Sequence, residues 1–403
     1  MAEFYPFRAV RPAKGKAADV ACLPYDVLSK EQADALAVNP ESFIHIIKSE
    51  VDLPADTDLY SEEVYQTAAD NLNRMKQDGT LQKAETPEYY VYREIAPDHT
   101  QTGFVGTVSC REYETGIIKR HELTVAEKED DRTHHILTCM AQTGLVFLTY
   151  TAGAQLADCL KEITAEEPEE TFEQNGVIHQ VWAVSDPAMV SRIREGFHDV
   201  NALYIADGHH RAASSCRAAK QLGADDTAEA GRFMAAAFQC DDLSLLGYHR
   251  YVKDLNGRST DEFLDEVRKT FDLAEADDTA LPDEEFHFIM CLPEKTYRMR
   301  PRANTYDTAD SVGRLDVSVL QNSLLDPILG IQDPRRDKRI SFVGGQSGAA
   351  EIRALAKQGG VGFILYPTGI HDLITVADDS RIMPPKSTWF EPKLLSGLFV
   401  HEL

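Results

Sequence analysis

The segment from residue 201 to residue 223, NALYIADGHHRAASSCRAAKQLG, constrains the fold of this chain more than any other segment. An apolar run predicts a buried strand, the Asp-Gly pair predicts a turn, and the alanine-rich stretch predicts a helix that Gly223 ends. We expect Asp207 to be the N-cap of that helix. Residues 232–239, RFMAAAFQ, predict the next strand, so the segment predicts a strand-turn-helix-strand unit.

Other segments combine helical and alternating patterns. SEEVYQTAADNLNRMKQDG carries apolar residues at helical spacing, with Gly79 as the stop, and the segment near Ser29 predicts a strand, a Pro-Tyr-Asp turn and a helix. EYYVYREI and TGFVGTVSCREYE predict an antiparallel pair, GLVFLTY a buried strand, and ISFVGGQSGAAEIRALAKQGGVGFILYP a strand, turn, helix and strand. These patterns predict an α+β fold with mixed sheets, antiparallel hairpins and flanking α/β segments.

We divide the chain into three predicted regions. They are an N-terminal α/β region (1–110), a core that carries the strand-turn-helix (111–255) and a C-terminal α/β region (256–403). The tail, RIMPPKSTWFEPKLLSGLFVHEL, is too rich in proline and aromatic residues for a free end, so we expect it to pack back onto the body.

Charge and composition exclude several classes of protein. The 403 residues carry 66 acidic and 41 basic side chains, a net charge of -25, which disfavours a nucleic-acid or anionic-membrane partner. The seven cysteines form no CxxC pair, the first residues lack a signal-peptide core, and no apolar run approaches ~18 residues. We therefore expect a soluble cytoplasmic protein with reduced thiols.

The DGHHR turn predicts an anion site. A helix N-terminus offers unpaired N–H groups and the positive end of the helix dipole, and Gly208 lets a ligand approach the backbone. Arg211 can bind phosphate with two hydrogen bonds, and Asp207 can hold Mg²⁺ or accept a proton. The alternative is that Asp207 only caps the helix while His209, His210 and Arg211 face water.

A second polar cluster, residues 119–135 (KRHELTVAEKEDDRTHH), precedes the predicted strand GLVFLTY. Such a mixture can bind phosphate oxygens and place a carboxylate as a base, but a solvated charged loop is the simpler interpretation. Its titratable residues are Lys119, Arg120, His121, Glu122, Lys128, Asp130, Asp131, Arg132, His134 and His135.

Three further motifs carry weaker signals. Zinc is disfavoured because there is no HExxH motif and adjacent histidines on a helix diverge by ~100°; the histidines considered are His121, His134, His135, His209 and His210. VGGQSGAAEI lacks the Lys-Ser/Thr of a P-loop, which favours a structural turn capped by Ser347. MPPKSTWF places Lys386, Ser387 and Thr388 where they can contact an anion.

YPFRAVRP, LPYDVLS, RHELT with DDR, IADGHHRAA and MPPKSTWFEPKLLSGL resemble domain-of-unknown-function family 1015 of bacterial and archaeal proteins, from residue 5 to residue 398. That family is similar to the ParB/sulfiredoxin superfamily, whose Asp-Gly-x-x-Arg strand-turn-helix binds nucleotide or pyrophosphate and whose members include free-serine kinases. The resemblance implies a phosphate-binding box at residues 207–211 and phosphoryl transfer involving a small hydroxyl amino acid.

The predicted function is a phosphotransferase that acts on serine or a similar small alcohol. ATP, ADP or pyrophosphate is the expected donor, with Mg²⁺ on Asp207, and a homodimer is the assembly considered. The predicted catalytic residues are Glu122, Asp207, His209 and His210, and the predicted phosphate ligands are Gly208, Arg211, Arg120, His121, Lys128, Arg132 and Lys386. A phosphoserine phosphatase, another metal-dependent hydrolase and a non-catalytic sensor or scaffold for a phosphorylated metabolite are the alternatives.

Overall fold

The computed structural model describes residues 2–151, 153–303 and 305–403. Its contacts divide the chain into two compact units. The first unit comprises Met1–Arg120, Thr124–Leu243 and Pro392–Leu403, and the second comprises His121–Leu123 and Ser244–Glu391. The three-region division made from the sequence stays a prediction.

A nine-stranded mixed sheet forms the centre of the first unit. Most neighbouring strands are antiparallel, but Val146–Tyr150 pairs in parallel with Arg232–Gln239, and Leu203–Asp207 with Ile118–Lys119. In order across the sheet, the strands are Ile118–Lys119, Leu203–Asp207, Val146–Tyr150, Arg232–Gln239, Thr100–Ser109, Tyr89–Ile95, Val177–Val184 and Glu170–Gln174, with Phe4–Tyr5 also paired to Thr100–Ser109.

Helices and two small strand pairs complete the first unit. The helices are Ala17–Val20, Lys30–Leu36, Ile44–Ile47, Glu62–Gln77, Cys110–Thr115, Ala126–Cys139, Ala154–Ile163, Pro187–His198 and His209–Leu222, with 3₁₀ turns at Ser49–Asp52, Glu229–Gly231 and Cys240–Asp242. The strand pairs are Val10–Pro12 with Leu81–Lys83 and Ala141–Gln142 with His401–Glu402. A core that includes Phe4, Phe104, Phe197 and Phe233 lies against the large sheet.

The second unit is built on a six-stranded antiparallel sheet. Its strands, in order across the sheet, are Phe271–Ala276, Thr296–Pro301, Phe288–Cys291, Val361–Leu365, His249–Val252 and Ile340–Val343, and Leu245–Leu246 pairs separately with Trp389–Phe390. Its helices are Thr260–Val267, Asp316–Leu320, Gly348–Ala356 and Ile370–Asp378, with a π-helical turn at Gln321–Leu325.

The α+β class and the main elements predicted from the sequence are confirmed. The helix that begins after Ser29 has a capping box with Gln32, and the antiparallel pair, the buried strand at Val146–Tyr150 and the strand-turn-helix all form. The tail also packs back: Ser396 bridges to Cys22 and Val400 to Val10.

Three local predictions are wrong. The segment before the Pro-Tyr-Asp turn makes only an isolated bridge at Cys22 instead of a strand. The strand that begins at Thr100 ends at Ser109, because the Ser109 side chain caps a helix over Cys110–Thr115. Residues 126–139 form a helix, so most of the second polar cluster is not a solvated loop.

Two further properties concern the helices and the thiols of the whole described chain. Among the described residues, no helix is both long and apolar enough to cross a bilayer. All seven cysteines are free thiols in the described chain, and most of them are buried.

Gly103 provides a test of how tightly the central sheet is packed. A Cβ at this position would lie 2.6 Å from the Ala237 carbonyl oxygen and 2.7 Å from the Phe238 ring. We expect Gly103→Ala to lower the free energy of unfolding by roughly 1–3 kcal/mol, because the neighbouring strand would have to shift. Thr100→Ala, at the exposed end of the same strand, is the control and should change it by less than about 0.5 kcal/mol in urea unfolding.

Candidate functional site

The DGHHR turn begins at an irregularity in the sheet. The register of Leu203–Asp207 against Val146–Tyr150 shifts between Ile205 and Asp207, and such a bulge re-aims the side chain that follows it. Gly208 then has φ 91° and stands at the N-cap position of His209–Leu222, where no side chain caps the helix. The prediction that Asp207 caps this helix is therefore wrong: its carboxylate turns back onto the Gly208 N–H, 2.7 Å away.

Asp207 lies between two positive side chains. Lys393 donates from Nζ to Asp207 Oδ2 at 3.0 Å, and Arg211 Nη2 lies 3.9 Å from the same oxygen. Burial raises the pKa of Asp207, but the charges of Lys393 and Arg211 outweigh it and hold that pKa well below its ordinary value. Asp207 is therefore a permanent negative charge that joins the turn to the C-terminal tail.

Arg211 is held in a close-fitting position. It donates from Nη1 to the Leu145 carbonyl, and its side chain is 11% exposed. A Cβ on Gly208 would lie 3.1 Å from its Nε, and one on Gly144 would lie 3.2 Å from its Cδ, so both glycines make room for it. Burial lowers the pKa of Arg211, but Asp26 and Asp207 raise it above its ordinary value, so the guanidinium stays charged.

Arg132 supplies a second largely buried guanidinium from the helix Ala126–Cys139. Its Nε donates to Asp131 Oδ2 at 2.8 Å, and Tyr65 donates to the other oxygen of Asp131 at 3.0 Å. The guanidinium carbon lies 4.4 Å from the centre of the Tyr25 ring, at cation–π distance. Among the described residues, Arg132 forms no hydrogen bond through its two terminal nitrogens, which leaves four N–H groups for a ligand.

Arg132 and Arg211 line one pocket of the first unit, a small cavity of about 30 Å³. The pocket receives residues from the N-terminal turn, three helices, the segment before a central strand and the tail. Its lining residues are Pro24, Tyr25, Ile47, Arg132, His135, Ile136, Gln142, Thr143, Gly144, Arg211, Ser215 and Ser396. Burial and Asp26 raise the pKa of the Tyr25 phenol to about 12, so it stays protonated at neutral pH.

Two histidines near the pocket make hydrogen bonds within the protein. His135 donates from Nε2 to the Ile46 carbonyl at 2.9 Å, and burial lowers its pKa to about 4, so the ring is neutral. His210 accepts at Nε2 from the Val125 N–H at 3.0 Å, which ties the helix start to the chain at Val125.

The remaining predicted residues lie elsewhere. Arg120 is exposed, with its guanidinium 5.7 Å from the Tyr113 ring, and Lys128 is exposed on its helix; neither lines the pocket. His121, Glu122 and Lys386 belong to the second unit. Their roles, like the catalytic roles of His209 and His210, stay predictions.

Sequence reasoning missed several residues at the pocket. Lys393, Tyr25 and Asp26 received no role, although all three stand within quoted motifs, PKLLSGL and LPYDVLS. The proline-flanked lysine in a tail expected to fold back was the available signal. Gly144 gave no signal, because its need for a small side chain arises only from the packing of Arg211.

The ion pair between Asp207 and Lys393 generates a stability prediction. Lys393 is 13% exposed, so Asp207→Asn removes a charge-assisted hydrogen bond and should cost about 1.5–3 kcal/mol of unfolding free energy. Adding Lys393→Met should cost less than it does alone, with a coupling energy of about 1–3 kcal/mol in a urea-unfolding double-mutant cycle. The exposed pair Arg192–Glu162 is the control, with an expected coupling below about 1 kcal/mol. Equal couplings for the two pairs would contradict the anchoring role.

His135 generates a pH prediction. Its pKa is about 4 in the folded chain against about 6.5 unfolded, so the unfolded chain binds more protons between these values and stability falls as the pH falls. The stability difference between the native protein and His135→Gln should shrink by about 2 kcal/mol from pH 7 to pH 5. The comparison isolates His135 from Glu94 and Glu112, whose pKa values burial raises to about 7 and which act in the opposite direction. The exposed neighbour His134→Gln is the control, and a pH-independent difference for His135→Gln would contradict the prediction.

Comparison with known protein families identifies one whose model matches this chain. The model of the family described as "Protein of unknown function (DUF1015)" matches residues 4–318. The chain is similar to a free serine kinase mutant in complex with AMP (12% identity, 73% of this chain, 89% of that chain, TM-score 0.37). It is also similar to a conserved hypothetical protein from Pyrococcus furiosus (12% identity, 73% of this chain, 94% of that chain, TM-score 0.37). A third similar structure is SbnI with a C-terminal truncation from Staphylococcus aureus (13% identity, 72% of this chain, 85% of that chain, TM-score 0.37).

The search of curated proteins produced no match. The family match covers well over half of the chain and contains most of the motifs on which the sequence resemblance rests. The chain therefore belongs to the DUF1015 family.

Proposed function

We propose that this protein is a kinase-type phosphotransferase that moves a phosphoryl group to a small hydroxyl amino acid. The observation that carries the proposal is the presence of two largely buried guanidinium groups, Arg132 and Arg211, at one pocket. Their carboxylate partners, Asp131 and Asp207, do not line the pocket, so its lining presents two guanidinium groups and no carboxylate, which favours an anion with several oxygens over a neutral ligand.

Phosphoryl transfer suits such a pocket. The reaction needs little covalent help from the protein and depends on positioning and on neutralising the phosphate oxygens. The free N–H groups of Arg132 supply a fork, and Arg211 and the helix start at Gly208 supply further positive potential. Tyr25, which remains protonated, can donate a hydrogen bond to the same group.

The acceptor class comes from the sequence resemblance. The resemblance of DGHHR and MPPKSTWFEPKLLSGL to proteins related to free-serine kinases favours serine as the acceptor.

The proposed transfer also needs a base that accepts the proton of the serine hydroxyl. Asp207 is a poor proton acceptor, because Lys393 and Arg211 hold its pKa well below the ordinary range. Asp26 is exposed beside the pocket, and its charge acts on both Tyr25 and Arg211. We propose Asp26 as the base, with Glu122, the carboxylate chosen from the sequence, as the competing candidate.

The donor set at Asp207 does not fit Mg²⁺. One carboxylate oxygen accepts from the Gly208 N–H, and the other faces Lys393 and Arg211, so a divalent cation there would meet two positive charges. No step of the proposed reaction passes through a metal bound at Asp207.

The two guanidinium groups at the pocket also support a second candidate function, a sensor that binds a phosphorylated metabolite without turning it over. Asp207 is already paired with Lys393 and Arg211, as a site that only binds its ligand allows. Binding alone does not separate the two candidates, so a binding experiment and a turnover experiment are both needed.

The binding experiment compares arginine variants by calorimetry with ADP, ATP and pyrophosphate. Arg132→Lys keeps the charge but loses the planar fork, and should weaken donor binding about tenfold to a hundredfold. Arg211→Lys should do the same and also loses the bond to the Leu145 carbonyl. Arg120→Lys, an exposed arginine outside the pocket, is the matched control and should bind as the native protein does. Unchanged affinity in both pocket variants would remove the phosphate site from this pocket.

The turnover experiment follows phosphoserine by ³¹P NMR with serine and each donor, with and without Mg²⁺. Asp26→Asn should lower turnover by about 10²–10⁴-fold while donor binding persists, because an amide cannot accept the proton. Glu122→Gln, measured in parallel, should leave turnover close to native if Asp26 is the base. Donor binding without phosphoserine in any combination favours the sensor, and phosphoserine breakdown with release of phosphate favours the hydrolase.

A further inference from the structure

A second, smaller pocket lies wholly within the second unit and carries more acidic than basic side chains. It is a cavity of about 10 Å³, and it lies where two helices begin, Asp316–Leu320 and Ile370–Asp378. Its lining residues are Glu285, Arg314, Leu315, Asp316, Pro367, Thr368 and Asp372. None of these side chains takes part in the proposed phosphoryl transfer.

Asp316 is the unusual group in this pocket. It is 8% exposed, and its Oδ1 accepts from the Phe286 N–H at 2.8 Å. Its Oδ2 is buried and has no hydrogen-bond partner among the described residues. A buried carboxylate oxygen without a partner is costly, so it requires a proton or a ligand with a positive charge.

The surrounding charges do not supply that positive charge. Arg314 forms an ion pair with Asp372, which is 9% exposed, so the single guanidinium of the pocket is engaged. Glu285 is exposed and forms no ion pair within the described part of the chain. Three carboxylates against one guanidinium leave an excess of two negative charges.

We propose that this pocket binds a hard divalent cation, with Asp316 Oδ2 as the buried ligand and Asp372 and Glu285 completing the charge. A divalent ion matches the excess of two charges. Carboxylate oxygens and the Thr368 hydroxyl, whose proton is donated to the Ser387 carbonyl, are the ligands that hard cations take. No histidine or cysteine lines the pocket, which disfavours zinc.

Calcium suits the site better than magnesium. Calcium accepts six to eight oxygens in irregular geometry, whereas magnesium requires a near-octahedral set. Here the carboxylates come from separate segments, and Glu285 is exposed and able to move onto an ion.

The test is calorimetric titration of the full chain, first stripped with EDTA, with CaCl₂, MgCl₂ and MnCl₂, and with methylammonium chloride as the monovalent arm. Calcium should bind with one-to-one stoichiometry and a Kd on the order of 10⁻⁵–10⁻³ M. The absence of binding by all three metals up to roughly 10 mM, or saturable binding of methylammonium alone, would overturn the proposal.

Variants locate the ion. Each variant leaves one carboxylate fewer to face the ion. Asp316→Asn removes the buried ligand and should weaken calcium binding by ~10-fold or more, whereas Glu285→Gln removes an exposed one and should weaken it less. Glu285 is exposed, so its variant tests the site without endangering the fold, and circular dichroism verifies the fold of Asp316→Asn. Asp265→Asn, an exposed carboxylate on the helix Thr260–Val267, is the control. Calcium binding that is native-like in both pocket variants would place the ion elsewhere and refute the proposal.

Discussion

The candidate site depends on the ion pairing of the Asp207 carboxylate with Lys393 and Arg211. That carboxylate is placed by a bulge in the central sheet and a left-handed Gly208, and it is neutralised by Lys393 from the tail and Arg211 from the helix. Because Arg211 also donates to the Leu145 carbonyl, one cluster links a strand, a helix, a loop and the C-terminal segment. The guanidinium that faces the pocket is therefore fixed before any ligand arrives, and preorganised charge of this kind is what phosphoryl transfer requires.

Elements with strong periodicity were predictable from the sequence, and elements decided by one local contact were not. The helix Glu62–Gln77 and the pair Tyr89–Ile95 with Thr100–Ser109 follow from side-chain spacing alone, and both are confirmed. The end of the second strand depends on a single hydroxyl, that of Ser109, which accepts from the Glu112 N–H and starts a helix. The prediction that Asp207 is an N-cap failed for a similar reason, because tertiary ion pairs outcompeted the local helix start for the carboxylate.

The predicted site divides in the same way. Arg132 and Arg211 were predicted as phosphate ligands from the motifs DDR and DGHHR, and both line one pocket. The strand-turn-helix sets the direction of Arg211. Lys393 and Asp26 were missed, because their proximity to Arg211 comes from the return of the tail and the path of the N-terminal turn, contacts separated by more than a hundred residues. Arg120, adjacent in sequence to residues chosen for phosphate, lies against Tyr113 instead, so a charge run in sequence did not become a charge cluster in space.

Asp207 and Asp316 are two partly or largely buried aspartates that the fold treats in opposite ways. Asp207 has a lysine and an arginine beside it, and its pKa lies well below the ordinary value, so its charge is already balanced by the protein. Asp316 has one backbone N–H, the charges of Glu285 and Asp372 nearby, and a pKa raised to about 7 by burial. The first carboxylate has little capacity for a metal, because its counter-charges would repel one, whereas the second lacks a counter-charge and gains from one. The lining of the first pocket carries two guanidinium groups and no carboxylate, whereas that of the second carries three carboxylates and one guanidinium, which is why we expect an anion at the first and a cation at the second.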